Sequence, residues 1–405
     1  MSFLFSKKKE GVSLIFDIGS GNAGVALVHF KVGEKPNVMY TTREAFRHSK
    51  EISGKQLIEL KSKALQNVAE KILKDGLPYL REVLQEEPVI SEIICFFGAP
   101  WYSTKTVSVT LQKLEPFVIS ESLIQTVVKE RESEFIHSFD TEAENPSVAI
   151  IEEKIIHVRL GGYEVEDFFL KKTTELSFSL FMSVLQKEVM DAVRNTLEPF
   201  FHSRKITFHS FLLPYFSTIR DIFSHKESFL LVDVTGEVTE ITLIKRGVPI
   251  ATSTYPVGRL FFLRHVAKVL DVSPQIAASF IKVHLEGRSE KSASTNMETY
   301  LIEATEKWRE SFLGALSTLT EEAFLPKTFF LTAEEDVIPL FRKILAEEKL
   351  DISGLGGEQL EIVPLNQNRL AAFCRFEKKA RLDSFFAIEA LFLNKLKAMG
   401  KQKDF

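Results

Sequence analysis

With 405 residues, 45% of them apolar and 35 of them Phe, the chain can build two to four folded units and is neither disordered nor fibrous. A net charge of −4, with Lys and Arg interspersed among Asp and Glu, offers no basic stripe and argues against a nucleic-acid partner. Cys95 and Cys374 both sit in apolar runs and read as core residues of a reducing compartment. No apolar run reaches the roughly 18 residues that span a bilayer, and Met1-Ser2-Phe3-Leu4-Phe5 followed by Ser6-Lys7-Lys8-Lys9 is not a signal peptide, so a cytoplasmic protein is expected.

Strands are predicted over 12–19, 22–31 and 36–46, then helix over 54–86, where Leu57, Leu60, Leu65, Val68, Ile72 and Leu77 recur at helical spacing until Pro88. The segment 89–167 changes character, with a strand at Ile93–Phe97, an alternating strand at Thr106–Leu111, an acidic helix from Ser120 to Phe139 and paired strands from Ser147 to Val165. It reads as a small α+β insertion. Strand Leu176–Phe181, helix Lys187–Phe201, strand Ile206–Leu213 and helix Pro214–Phe223 follow, and then a strand at Phe229–Val232. Helices over 259–270, 274–285 and 294–323 precede a last α/β stretch. That stretch holds strand Thr328–Thr332, helix Val337–Glu347, strand Leu360–Leu365, helix Leu370–Phe376 and helix Ser384–Met399.

Two distant segments share one plan. Val12 to Val28 is an apolar strand, the turn Asp17-Ile18-Gly19-Ser20-Gly21-Asn22 and a second strand; Phe229 to Ile244 repeats it around Asp233-Val234-Thr235-Gly236-Glu237. In each, an Asp closes a buried strand and a small-residue hairpin follows, so that backbone N–H groups can face an anion while the carboxylate sits near a metal or water. On these residues the chain resembles the bacterial actin-like proteins FtsA, of cell division, and PilM, of type IV pilus assembly. The hairpin Glu153 to Asp167, through Gly161-Gly162-Tyr163, is similar to the FtsA insertion. Tyr255-Pro256-Val257-Gly258 resembles the family's entry to the next helix, with Arg259 in place of a second Gly.

The resemblance implies an α/β, actin-like two-domain fold of duplicated ribonuclease-H-like halves with a small α+β insertion in the first half. The expected division is 1–88 with 168–202 and 381–405 as the first domain, 89–167 as the insertion, 203–258 with 325–380 as the second domain, and 259–324 as its helical subdomain. It also implies a nucleotide site at Asp17, Gly19, Ser20, Gly21, Asn22, Asp233, Gly236, Thr239, Lys282 and Thr332, with Asp17 and Asp233 facing each other and holding Mg indirectly. The glycines are incomplete. Thr235 and Glu237 stand in the second loop where the family has Gly, and Ala333-Glu334-Glu335 replaces the third glycine run. ATP-Mg is therefore expected to bind weakly at best, with weak or absent hydrolysis and no catalytic residues.

The implied role is a cytoplasmic assembly or adaptor protein at the inner face of the membrane, with protein partners, self-association and no more than weak peripheral membrane contact. An FtsA-like division role comes first and a PilM-like pilus role second. An active ATPase or small-molecule kinase of the actin and Hsp70 superfamily is the alternative from another class. The Met1–Lys9 start resembles PilM, and no separate amphipathic helix follows Met399. The nine His show no metal-ligand spacing, and neither a Gly-x-Ser-x-Gly elbow nor a dinucleotide fingerprint occurs.

Overall fold

The computed structural model describes residues 11–46, 54–139, 147–201, 205–320, 324–347 and 360–399; the expectations for Met1–Lys9 and for 400–405 lie outside them. In chain order come β1 (Gly11–Ile18), β2 (Asn22–Phe30), β3 (Asn37–Ala45), α1 (Gly54–Lys71), α2 (Leu77–Leu84) and β4 (Ile90–Phe97). Next are β5 (Tyr102–Val118), α3 (Glu121–His137), β6 (Val148–Leu160), β7 (Tyr163–Glu164), β8 (Lys172–Gln186), α4 (Lys187–Phe201), β9 (Ile206–Ser210) and α5 (Leu212–Ile222). The second half holds β10 (Phe229–Val234), β11 (Thr239–Lys245), β12 (Val248–Tyr255), α6 (Arg259–Leu270), α7 (Pro274–Leu285), α8 (Lys291–Thr320), β13 (Thr328–Ala333), α9 (Ile338–Glu347) and β14 (Glu361–Pro364). The chain ends with α10 (Gln367–Leu370), β15 (Arg375–Lys379) and α11 (Ser384–Met399).

Two sheets carry the same topology. One runs β15-β3-β2-β1-β4-β9 and the other β12-β11-β10-β13-β14. In both, the leading strand, β1 or β10, pairs antiparallel with its hairpin partner and parallel with the strand on its other side. The leading strands are almost continuously apolar and buried, as strands covered on both faces must be. Helix α5 lies between the sheets with every residue from Leu212 to Ile219 buried, and the Tyr215 hydroxyl donates to the Phe330 carbonyl across the divide at 2.7 Å. Phe229, Leu231 and Phe330 of the second sheet thereby join the core of the first.

The third sheet, β5-β8-β6-β7, carries α3 and its own core of Val109, Ile124, Val128, Leu176, Phe178 and Leu180. Its extent differs from the expected 89–167. Strand β4 belongs to the first sheet, whereas β8, expected as the return to the first domain, is the insertion's inner strand and pairs with both β5 and β6. Two further boundaries move: β9 and β15 both lie in the first sheet, and residues 375–379 are a strand where the end of a helix over Leu370–Phe376 was expected. The Arg375 N–H donates to the Pro36 carbonyl and Arg375 pairs with Asn37, a tertiary register that local helical spacing does not contain. The insertion is fastened to the first sheet through the buried Glu152 carboxylate, which accepts from Ser183 Oγ, Ser210 Oγ and the Ser210 N–H and lies 2.9 Å from His209 Nδ1.

Candidate functional site: the interdomain cleft

The ends of β1 and β10 point at each other. Asp17, Gly19, Asn22, Asp233, Gly236 and Glu334 line one small cavity between the halves, about 20 Å³, room for little more than one water. The two loops touch directly. Ser20 Oγ lies 2.8 Å from Thr235 Oγ1 and accepts the Glu237 N–H at 2.8 Å. A Cβ placed on Gly236 would lie 2.4 Å from Gly21 Cα, closer than any side chain can sit. Gly236 is thus required by the approach of the first loop's backbone.

The cation of the cleft is Arg43, which the sequence analysis did not single out. Register explains its position: Asp17 pairs with Gly24 on β2, and Gly24 pairs with Arg43 on β3, so the three stand in line across the sheet. Because Gly24 has no side chain, the guanidinium crosses above it; a Cβ there would lie 3.1 Å from Arg43 Cζ and 2.8 Å from the Phe386 ring. Arg43 Nη1 donates to Asp17 and to Asn22 Oδ1, both at 2.6 Å, while Nε and Nη2 donate to Asp383 at 3.0 and 2.7 Å. Its plane lies over Phe386, 4.8 Å from the ring centre. The two carboxylates hold the guanidinium far above its ordinary range, against burial, and burial pushes Asp17 up against the pull of Arg43.

From Arg43 the polar contacts continue into the second half. Asn22 Nδ2 donates to Glu334 at 3.0 Å, Glu334 lies 3.5 Å from Arg259 Nε, and Arg259 Nη2 donates to Asp336 at 2.6 Å. Glu237, standing where the family has Gly, is held bidentately by Arg264 at 2.8 Å on both oxygens. Arg259, Glu334 and Asp336 also border a larger opening of about 320 Å³ beside the cleft, with Arg381 and Ser384. The remaining expected residues divide. Thr332 donates to Asp233 at 2.7 Å, and burial drives the Asp233 carboxyl well above its usual range. Thr239 is a core anchor, donating to the Val257 carbonyl and accepting from Trp308 Nε1. Lys282 lies exposed on α7, lines neither opening and pairs with Glu286 at 4.0 Å. No group of three His, Cys, Asp or Glu among the described residues is arranged to hold a metal.

No protein-family model matches the chain, and no curated protein matches it in sequence. Among solved structures, a PilM–PilN type IV pilus biogenesis complex is similar with a TM-score of 0.55 at 13% identity, over 96% of this chain and 99% of that one. A Bacteroides thetaiotaomicron protein with an actin-like ATPase fold gives 0.39 at 9% identity, over 97% and 99% of the two chains. ADP-bound MreB5 of Spiroplasma citri gives 0.41 at 8%, over 98% and 100%. The chain has the actin-like two-domain fold. That fold implies ATP with Mg²⁺ in the cleft, and the residues present do not fit them in this arrangement. Arg43 already neutralises Asp17, Glu334 is bonded to Asn22, and the loop backbones that would part around phosphates are in contact.

At the start of β11, in register with Asp233, Glu240 accepts from the Tyr102 hydroxyl at 2.6 Å, which fastens the insertion's first strand to the second half. Burial raises the Glu240 carboxyl from 4.5 to about 7. Between those values the folded chain keeps a proton that the unfolded chain releases. Glu240 therefore subtracts from stability as pH rises, and its full penalty is reached above about pH 7. Glu240→Gln, which can still accept from Tyr102, is expected to leave the melting temperature near pH 4.5 unchanged and to raise it at pH 8. A shift of equal size at both ends would remove Glu240 from that role.

Proposed function

We propose that this chain is an actin-like assembly adaptor, working by holding protein partners, with ATP-Mg a weak ligand at most. The observation that carries this reading is the cleft: its phosphate-loop positions are spent on contacts between the halves, leaving about 20 Å³ at their centre. The machinery we assign is type IV pilus biogenesis at the inner membrane, supported by likeness over nearly the full length of one chain of a PilM–PilN complex. No helix among the described residues is long and apolar enough to cross a membrane. An FtsA-like division role, which the sequence analysis placed first, rests on the Tyr163 hairpin.

Deletion of the gene decides between the two roles. Loss of surface pili with normal cell length supports the pilus reading; filamentous cells with intact pili would replace it by division. Partner capture is expected to run through the insertion. Tyr102 and Leu185 are cross-strand partners, so replacing 103–184 by a short turn should leave a soluble core that still melts cooperatively but no longer captures the cytoplasmic segments of pilus inner-membrane proteins. Undiminished capture by that core would move the partner surface onto the two main halves.

A further inference from the structure

We propose that the closed state of this actin-like chain is built in: a side-chain relay across the cleft holds the halves together without nucleotide, and Arg43 serves as its cation. The relay runs Asp383, Arg43, Asn22, Glu334, Arg259, Asp336, and each step except the 3.5 Å approach of Glu334 to Arg259 is a hydrogen bond of 3.0 Å or less. Its first three members stand just before α11 and on β3 and β2 of the first half, its last three in the loop after β13 and at the start of α6. The crossing step is Asn22 to Glu334. Beside it, the Ser20 hydroxyl is shared between Thr235 and the Glu237 N–H, which forms a second crossing on independent residues.

Three sequence features make sense together in this light. Gly24 gives the guanidinium its path to Asp17. Arg259, standing where the family has a second glycine, holds Glu334 and Asp336. Glu334 itself, the side chain that obstructs the third loop, supplies the acceptor for Asn22. The substitutions that spoil a phosphate site are the ones that build the relay. A bound nucleotide would have to break the Asn22–Glu334 and Ser20–Glu237 bonds before its phosphates could enter. Loss of the nucleotide and retention of closure are thus one change.

The inference shares the cleft geometry with the adaptor reading but is read out separately from partner capture. Cys95 and Cys374 are buried, so spin labels can be placed on introduced cysteines at the exposed positions Val32 of the first half and Ile302 of the helical unit. In the nucleotide-free doubly labelled protein, pulsed dipolar spectroscopy is expected to give one narrow distance distribution that millimolar ATP-Mg does not change. Combining Asn22→Ala with Ser20→Ala, which cuts both crossings, should broaden it toward longer distances. The milder pair Asn22→Ser and Glu334→Gln should give a smaller broadening and keeps the test alive where the first pair does not fold. A broad distribution in the unaltered protein that narrows on adding ATP-Mg would overturn the inference, as would a distribution that neither pair of substitutions alters.

Discussion

Arg43→Ala is expected to destabilise the protein by about 3–5 kcal/mol, the range found when one partner of a buried ion pair is removed and its counter-charges stay behind. Asp17 would be stranded at 4% exposure beside Asp383, and the stack on Phe386 would be lost with it. Denaturant unfolding followed at pH 7 measures the change. The double variant Arg43→Met with Asp17→Asn removes the guanidinium together with the more buried of its two carboxylates and should cost less than the sum of the two single variants, because the loss of the Arg43–Asp17 pair is counted twice in that sum. A loss below about 1 kcal/mol for Arg43→Ala would show that the guanidinium is a surface decoration.

Gly236→Ala has the second large effect, and its cause is geometric. The new Cβ would meet Gly21 Cα at 2.4 Å and Gly21 N at 2.6 Å, both backbone atoms that no rotamer change can move aside. Forcing such a contact costs about 1–3 kcal/mol or more, and here it acts as a wedge between the halves. The melting temperature should fall in buffer that contains no nucleotide. Gly21→Ala should follow it, with a contact of 2.9 Å to Gly236 Cα and 3.0 Å to the flexible Leu260 side chain, so its loss should be smaller. If glycine at 236 served only to admit a phosphate, the nucleotide-free protein would tolerate alanine there.

What could be read in advance follows from how local each feature is. The two strand-turn-strand units around Asp17 and Asp233 are contiguous, so their composition alone pointed to duplicated halves. The helices whose apolar residues recur within one element, α1 and α4, were equally visible. Arg43 was not, because its acceptor Asp383 is 340 residues away and its path depends on a glycine in a neighbouring strand. A glycine inside an otherwise apolar strand was the available signal, since such positions mark close approach by another group. The insertion's true extent was hidden for a related reason: β8 is largely buried from Leu176 to Leu185 and looks like a main-sheet strand until its partners β5 and β6 are known. Strand β15 exists through its pairing with β3, and its own residues, Arg-Phe-Glu-Lys-Lys, carry no strand alternation that would reveal it.

A nucleotide stabilises the state it binds by an amount that grows with the logarithm of its concentration, so a cleft closed by ATP reports the energy supply of the cell. A guanidinium carried on β3 has no such dependence: its local concentration is fixed by the chain, and dilution or starvation leaves it in place. With Arg43 in that position, what remains able to shift the balance between the halves is chemistry that competes for its carboxylates, and mechanical pull delivered through the Tyr102–Glu240 and Glu152–His209 fastenings of the insertion.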